Sequence, residues 1–516
     1  MKKFYPCFAL SFCAMVFLAV TPVASTQSPV ASTQPKLKEM RIFGYITEFH
    51  SPTSFEIEDY RINRDQSVML EFVNHSPGVH FRMEDLRVGT LVEVSGLYNE
   101  ATKELNAWQV KVDLEQFREL DVTSILDRVP PAQLEQTKSG WRGIIVADGR
   151  RIRLGSTTQL VFKATKAEMK SERNERKKGE ATKRKPKRDD WKKVSKTDWD
   201  DSWATGGPFK WVTLPIKSLA DIGPGTTMEY HGLEQADGTV WASKIEFWRN
   251  ELGASLWKDI KIREEPFNSE IGKPSELKVG AAKYQVLPNE EVQQYVNWLG
   301  QSLVPEYMKR LPEYDAQKIT FQFRVIQAKG FNATAYPNGM IVIHSDVFEV
   351  LENEAQLAAI IGHEIAHATQ EHTYRQLQLL KKQPPLEIGS LMAQGFGYYS
   401  VSEILNMVST AMVNGYERTL ENQADRVGLQ YMADAGYDPR EAPRVWKLVA
   451  KQGGDRPTFY WSSHDGASER RSFLMVAIKN GFSEENFEDF IRNEEQFRYI
   501  ARLVREASVK ERSKLN

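Results

Sequence analysis

Two histidines spaced four residues apart, His363 and His367, flank a glutamate, Glu364, within the stretch GHEIAHATQEH at residues 362–372. The surrounding segment, residues 353–372, contains no proline and has apolar residues at helical intervals, which predicts one helix. Side chains four positions apart share one face of a helix, so both imidazoles can bind one metal ion and Glu364 can reach a water beside it. The pattern indicates a zinc-dependent hydrolytic site in which a glutamate accepts a proton from water.

A catalytic zinc ion usually has three protein ligands and one open position, so a further ligand must lie elsewhere in the chain. Glu421 and Asp425 lie one turn apart on a second predicted helix within residues 416–439. Glu421 is a candidate ligand, and Asp425 is a candidate partner that orients a ligand histidine. His372 lies one position off the ligand face of the first helix, and we expect it at a helix end or in packing rather than as a ligand.

H-E-I-A-H followed by E-N-Q-A-D resembles the HtpX-type and CAAX-prenyl-protease-type zinc metalloendopeptidases, the forty-eighth metallopeptidase family, over roughly residues 290–475. The segment between the two motifs is only moderately apolar, which is similar to the soluble, BepA-like periplasmic branch of that family. The resemblance implies one Zn²⁺ per chain held by His363, His367 and Glu421. It also implies that Glu364 is the general base.

Two further segments resemble parts of the family. In SSHDGASERR, His464 would stabilise the oxyanion or occupy the open zinc position, and Arg470 would pair with a ligand carboxylate. A plain surface role for both residues is the alternative. NATAYPNGMIVI predicts a hairpin at Asn338-Gly339. Its first residues would form an edge strand that pairs with the substrate backbone. These are Asn332, Ala333, Thr334, Ala335 and Tyr336.

The chain begins with the layout of a secretory signal peptide over residues 1–25: two lysines, an apolar run that ends at Val20, and small residues after it. Residues 26–37 predict a flexible spacer. Both cysteines of the chain, Cys7 and Cys13, lie in the signal, so disulfides and thiolate metal sites are excluded from the mature protein. We therefore expect an exported protein, periplasmic or secreted, with no transmembrane segment after signal removal.

Residues 38–250 contain an internal repeat, because VGTLVEVSGL at 88–97 returns as PGTTMEYHGL at 224–233. Short alternating strands with glycine punctuation predict two small antiparallel β-barrels of the OB type. We expect repeat 1 over residues 38–115 and repeat 2 over residues 139–250. A lysine- and arginine-rich insertion within repeat 2, residues 163–201, predicts disorder.

The predicted fold class is α+β. A linker over residues 251–285 leads into a zincin-like, mainly helical protease domain with a small antiparallel sheet, residues 286–480, and a helical tail follows over residues 481–516. The 68 basic and 69 acidic residues nearly cancel, so the whole chain has no field that would attract nucleic acid. Nucleic-acid binding would require the insertion at residues 163–201.

The sequence thus predicts a metalloendopeptidase that acts on protein or peptide substrates, with misfolded envelope proteins as the class that the resemblance implies. The two repeats would bind substrates or partners. The alternative is a chaperone-like binding protein with a structural zinc site. Such a site would be closed by four protein ligands, with His464 as the fourth.

Overall fold

The computed structural model describes residues 37–515 with gaps. The gaps are residues 52, 66, 69, 74–84, 115–118, 129–133, 139, 166–210, 215, 217–221, 249–256, 258–259, 267–274, 281, 316, 382–415, 454–466 and 484. The predicted signal peptide, most of the spacer, most of the basic insertion and His464 lie outside the described residues.

The first β unit is a seven-stranded sheet over residues 37–113. Its strands are β1 Leu37–Tyr45, β2 Glu48–Ser51, β3 Ser54–Ile57, β4 Tyr60–Arg64, β5 Leu70–Val73, β6 Leu91–Asn99 and β7 Glu104–Asp113. The order is β1-β6-β7-β4-β3-β2, with β5 beside β7. Between β1 and β2, Ile46 donates its amide to Thr90 and Thr47 donates its amide to Glu56. The chain thus runs directly from β1, which pairs with β6, into β2, which pairs with β3, so the strands form a ring.

The second β unit has seven strands and the same ring order. They are β8 Leu120–Arg128, β9 Leu134–Thr137, β10 Gly140–Ala147, β11 Arg150–Thr165, β12 Trp211–Leu214, β13 Thr227–Glu234 and β14 Val240–Trp248. The ring runs β8-β10-β11-β14-β13 and returns to β8, while β9 and β12 extend it. The predicted start of this repeat at residue 139 is therefore too late, because β8 already belongs to the ring.

Both sheets are mixed, whereas the sequence predicted antiparallel barrels. β4 pairs in parallel with β7 in the first unit, and β11 pairs in parallel with β14 in the second. In each unit the last ring strand, β7 or β14, forms an antiparallel hairpin with the strand before it and also pairs with the third ring strand, β4 or β11. It runs in the same direction as that third strand. The alternation of apolar residues indicates which face of a strand is buried, but it does not indicate the direction of the neighbouring strand.

Each ring carries a buried acid at the tip of the hairpin between its second and third strands. Glu58 follows β3 with φ 59°, and Asp148 follows β10 with φ 58°. Gly149 follows Asp148 with φ 61°, so this two-residue turn has the positive φ values of a type I′ hairpin. Both tips point into the helical part of the molecule: Glu58 accepts a hydrogen bond from Arg471 at 2.6 Å and Asp148 accepts one from Arg426 at 2.7 Å.

The remainder of the described chain contains two small sheets and nine α-helices. The first sheet lies inside the predicted linker and comprises β15 Ile262–Glu265, β16 Glu276–Val279 and β17 Ala282–Gln285. The second comprises β18 Gln322–Ile326, β19 Ala333–Ala335 and β20 Met340–His344. The helices are α1 Glu290–Leu303, α2 Glu306–Arg310, α3 Val347–Val350, α4 Glu354–Thr369, α5 His372–Lys381, α6 Arg418–Asp434, α7 Glu441–Gly453, α8 Ala467–Gly481 and α9 Glu494–Leu515.

The sheet beside the helices has the order β18-β20-β19. The predicted hairpin at Asn338-Gly339 is present between β19 and β20. β18 pairs with β20 in parallel, so the sheet is mixed and not antiparallel as predicted. β20 lies in the middle because the chain first crosses to the far edge, forms β19, and then turns back. Among the described strands, β19 is therefore an edge.

The helix α4 is almost fully buried and forms the centre of the largest apolar core. The side chain of Asn353 caps it by accepting a hydrogen bond from the amide of Gln356 at 3.0 Å. α6 packs across α4 where Gly362 meets Gly428, since a Cβ on Gly362 would lie 2.8 Å from the Gly428 carbonyl oxygen. Within the described part of the chain, none of the helices has the length and apolar character needed to cross a membrane.

Candidate metal centre

Three side chains from two helices converge on one point. On α4, Nε2 of His363 and Nε2 of His367 lie 2.9 Å apart. The Glu421 carboxylate on α6 lies 3.5 Å from the first of these nitrogens and 3.7 Å from the second. Two imidazole nitrogens and one carboxylate form a donor set that suits a catalytic zinc ion. The residues present therefore fit the metal that the sequence predicts.

The outward-facing nitrogen of each histidine also has a partner. Nδ1 of His363 lies 2.9 Å from Asp425, and Nδ1 of His367 lies 2.9 Å from Nδ1 of His372. Tyr416 stacks on the His367 ring, with centroids 4.3 Å apart and planes inclined by 21°. Partners of this kind fix the tautomer and the orientation of an imidazole, so both Nε2 atoms are held towards the same point.

Arg470, on α8, connects the two carboxylates. Its guanidinium donates to Asp425 at 2.8 and 2.6 Å and lies 3.1 Å from Glu421. The same guanidinium lies over the ring of Trp446 at 3.8 Å. Arg470 is 1% exposed, so its charge acts on these acids with little solvent screening.

The charges of the site move the pKa values of its members in opposite directions. Burial opposes ionisation of Glu421, but Arg470 and the neighbouring histidines outweigh it and lower the pKa of this carboxyl to about 2. Burial also disfavours the anion of Asp425, and again Arg470 and the hydrogen bond with His363 lower its pKa to about 2. Both acids are therefore anions at neutral pH. A carboxylate in this state is ready to bind a cation without first losing a proton.

Glu364 lies beside the candidate ligands and accepts a hydrogen bond from the backbone amide of Ala335. Burial raises the pKa of this carboxyl to about 7, against the attraction of His363 and a backbone hydrogen bond from Ala335. A carboxyl with a pKa near neutrality can both accept and return a proton, which is what a general acid and base must do. Ala335 belongs to β19, so the edge strand and Glu364 are in contact.

The hydrogen bonds between β19 and β20 show which backbone groups of β19 point away from the sheet. Tyr336 donates its amide to Met340, and His344 donates its amide to Asn332, so these pairs and Thr334–Val342 are the hydrogen-bonded ones. The backbone groups of the alternate residues, Ala333 and Ala335, therefore point away from β20. They face the side on which Ala335 meets Glu364.

The structure brings together six of the residues selected from the sequence. These are His363, Glu364, His367, Glu421, Asp425 and Arg470. It also places the candidate substrate strand at the sheet edge beside them. His464 lies outside the described residues.

The sequence missed the contact of His372. The predicted helix ran through residue 372, but α4 ends at Thr369 and Glu371 adopts φ 56°. That left-handed residue turns the chain, so His372 begins α5 and its ring lies against His367. No glycine marks the turn, and an αL glutamate leaves no signal in the sequence. Tyr416 was missed because aromatic residues at a helix start have no distinctive spacing.

Comparison with known proteins agrees with this geometry. Residues 297–476 match the sequence profile described as Peptidase family M48. The chain is 28% identical over 181 residues to Mitochondrial metalloendopeptidase OMA1 of Arabidopsis thaliana, which covers 35% of this chain and 36% of the relative. It is 31% identical over 167 residues to the Beta-barrel assembly-enhancing protease of Escherichia coli K12, covering 31% and 33%. A third relative is Metalloprotease LoiP of the same organism, 25% identical over 154 residues, covering 30% and 60%.

The chain spans about a third of the length of the first two relatives, and the matched region contains every described residue of the metal centre. Both β units lie outside the match. Residues 297–476 of this chain are a peptidase family M48 domain.

Proposed function

We propose that this protein is a zinc metalloendopeptidase that hydrolyses peptide bonds in proteins. The observation that carries the proposal is the convergence of His363, His367 and Glu421 beside a buried Glu364. Metalloendopeptidases and metalloproteases among the similar proteins support it. When bound by the three residues, zinc would polarise the scissile carbonyl and lower the pKa of a water.

The chain's own residues have distinct roles in the proposed reaction. Glu364 accepts a proton from the attacking water on its carboxylate and delivers it to the leaving amine nitrogen. Asp425 holds the His363 imidazole, and Arg470 holds the carboxylates of Asp425 and Glu421 in place. His464 is proposed to stabilise the oxyanion, as the resemblance implies.

The substrate is proposed to bind as an additional strand beside β19. The outward-facing backbone groups of Ala333 and the carbonyl of Ala335 offer the hydrogen bonds of a further antiparallel or parallel partner. Because Ala335 also donates its amide to Glu364, a substrate strand in this position would present its peptide bonds directly to the base. An extended backbone is common to all unfolded proteins, which fits a protease that acts on misfolded chains.

The proposed location is outside the cytoplasm, in the periplasm or beyond, with misfolded envelope proteins as substrates. The signal-peptide pattern of residues 1–25 and the likeness to the Beta-barrel assembly-enhancing protease support this. The two β units are proposed to be OB-type barrels that bind substrates or partners. The ring order of five strands, with the third and fifth in parallel, supports this assignment in both units.

The replacement Glu364→Gln tests the proposal on the full chain. It removes the base and leaves the three ligands, so cleavage of a casein substrate should fall by at least about a hundredfold while zinc stays near one per chain. Undiminished cleavage would contradict the mechanism. If the wild type binds zinc but cleaves nothing, and a chelator only lowers its melting temperature, the structural-zinc alternative is correct.

A further inference from the structure

The hairpin tip of the second β unit is connected to the metal centre by a continuous chain of hydrogen bonds. Asp148 is 1% exposed and its Oδ1 accepts a bond from Nε2 of Gln423 at 2.6 Å. Oε1 of Gln423 lies 3.0 Å from Nε2 of His372, and Nδ1 of His372 lies 2.9 Å from Nδ1 of His367. Asp148 stands well outside residues 297–476. A residue of the β unit thus reaches a metal ligand through two intermediates.

The first link determines which way the Gln423 amide points. Its nitrogen donates to Asp148 and to the carbonyl of Thr123 at 3.2 Å, and both of these are acceptors only. Its oxygen accepts from Arg375, which is a donor only, as well as facing His372. Turning the amide over would place oxygen against a carboxylate and nitrogen against a guanidinium. The orientation of Gln423 is therefore fixed by groups of fixed polarity.

The remaining links follow from this orientation. Because the amide oxygen faces Nε2 of His372, that nitrogen carries the proton, and Nδ1 of the neutral ring is an acceptor. The bond between the two rings then requires the proton on Nδ1 of His367. Nε2 of His367 is left with its lone pair directed at the point where His363 and Glu421 converge.

We propose that Asp148 is a positioning residue for the metal ligand His367, acting through Gln423 and His372. The proposal rests on the proposed function only in taking the three convergent side chains as a metal site. It assigns to the second β unit a part in the metal centre, in addition to any binding of substrates or partners.

The first β unit offers a matched contrast. Glu58 occupies the same hairpin position as Asp148, has the same positive φ, and also meets an arginine of the helical part, Arg471. Within the described residues, Glu58 is hydrogen-bonded to Arg471, and this contact does not continue to a metal ligand. Both hairpin tips therefore contact the helical part through an arginine. Of the two acids, Asp148 is the one that is also linked to the metal ligand His367.

The test compares Asp148→Asn and Gln423→Leu with the control Glu58→Gln, all in the full chain. Zinc affinity is measured by competition with a chromophoric chelator. We expect Asp148→Asn and Gln423→Leu to bind zinc about 10–100 times more weakly than wild type, as is typical for partners of metal-bound histidines. The zinc affinity of Glu58→Gln should equal that of wild type. In the Co²⁺-loaded protein, the shifted Nδ1 proton of His367 should exchange faster with solvent in the two variants, while that of His363 should not.

Folded variants with wild-type zinc affinity and unchanged proton exchange would overturn the proposal. If neither variant folds while the control does, the link is a structural part of the interface and the proposal is wrong. The outcomes are separable from those for the proposed function. A protein that binds zinc with this dependence on Asp148 but cleaves no substrate would refute the peptidase and leave the positioning role intact.

Discussion

A Cβ added to Gly428 on α6 would lie 2.6 Å from the main-chain nitrogen of His363 on α4. The two helices are thus in backbone contact at His363, the first candidate metal ligand. This contact sets the distance at which Glu421 and Asp425 face the two histidines. The close approach requires the absence of a side chain at Gly428, seven residues after the candidate carboxylate ligand Glu421.

Replacing Gly428 with alanine should therefore separate the helices and disturb the site. The methyl group meets backbone atoms that cannot rotate away, and overpacking of this kind commonly destabilises by about 1–3 kcal/mol. We expect a lower melting temperature and weaker zinc binding together. Gly155→Ala is the control, because a Cβ there has no atom within 4 Å. Wild-type zinc affinity in Gly428→Ala would show that the helix contact does not set the ligand geometry.

Arg470→Gln should destabilise the metal-free protein more than the zinc-loaded one. Without metal, Arg470 is the cation that Glu421 and Asp425 share, and removing one partner of a buried ion pair costs about 3–5 kcal/mol. A bound zinc ion compensates part of this loss at Glu421. Thermal unfolding with and without chelator measures the difference. Arg471→Gln is the control, because its partners Glu58 and Asp59 lie away from the metal, and it should lower both melting temperatures equally.

The stability of the protein should depend on the protonation of Asp127. Burial raises the pKa of this carboxyl to about 6, with a further contribution from Asp434 and in spite of Arg128. In the unfolded chain the pKa is about 3.9, so between these values the folded form holds a proton that the unfolded form has released. The free energy of unfolding contributed by this group therefore falls as pH rises from about 4 to about 6 and stays lower above that range.

Asp127→Asn removes this dependence. At pH 7.5 the variant should be more stable than wild type, by at most about 3 kcal/mol for a shift of roughly two pKa units. At pH 4 the two proteins should unfold at nearly the same temperature. A variant that is less stable at pH 7.5 would show that the ion pair with Arg128 outweighs the cost of burying the charge.

Strand addition at β19 predicts an alternating sensitivity to backbone methylation of the substrate. A peptide paired with one edge uses the amide of every second residue. In a series of cleavable peptides with one N-methyl amide each, KM should rise at alternate positions and change little at those between. Uniform effects along the peptide would argue for recognition through side chains instead.

The clustering of the candidate metal ligands could be predicted from sequence because each part of the cluster is local. His363 and His367 are one turn apart, and so are Glu421 and Asp425, so helical periodicity alone places each pair on a face. The close contact of the two helices depends on Gly362 and Gly428. The local sequence pattern does not show which glycines face each other. The turn at Glu371 was missed for a similar reason, since surrounding structure and not residue type imposes its positive φ.

The β units were predicted in part. The matching segments 88–97 and 224–233 occupy corresponding positions, as the amides of Gly89 and Gly225 donate to Ile46 and Leu126. The predicted start of the second unit is too late because β8, unlike β1, contains no glycine that would mark it in the sequence. Pairing direction was wrong in both units and in the β18–β20 sheet, because it depends on the path of the chain between strands.

The hairpin tips have a consequence for how the protein is made. Arg471 follows Glu58 by 413 residues, and Arg426 follows Asp148 by 278. During synthesis both rings can therefore close long before the helices that receive their tips have left the ribosome. Glu421 and Arg470 arrive in the same late stretch of chain. A nascent molecule therefore lacks one carboxylate of the candidate metal centre, and the arginine that pairs with it, until most of the chain has been synthesised.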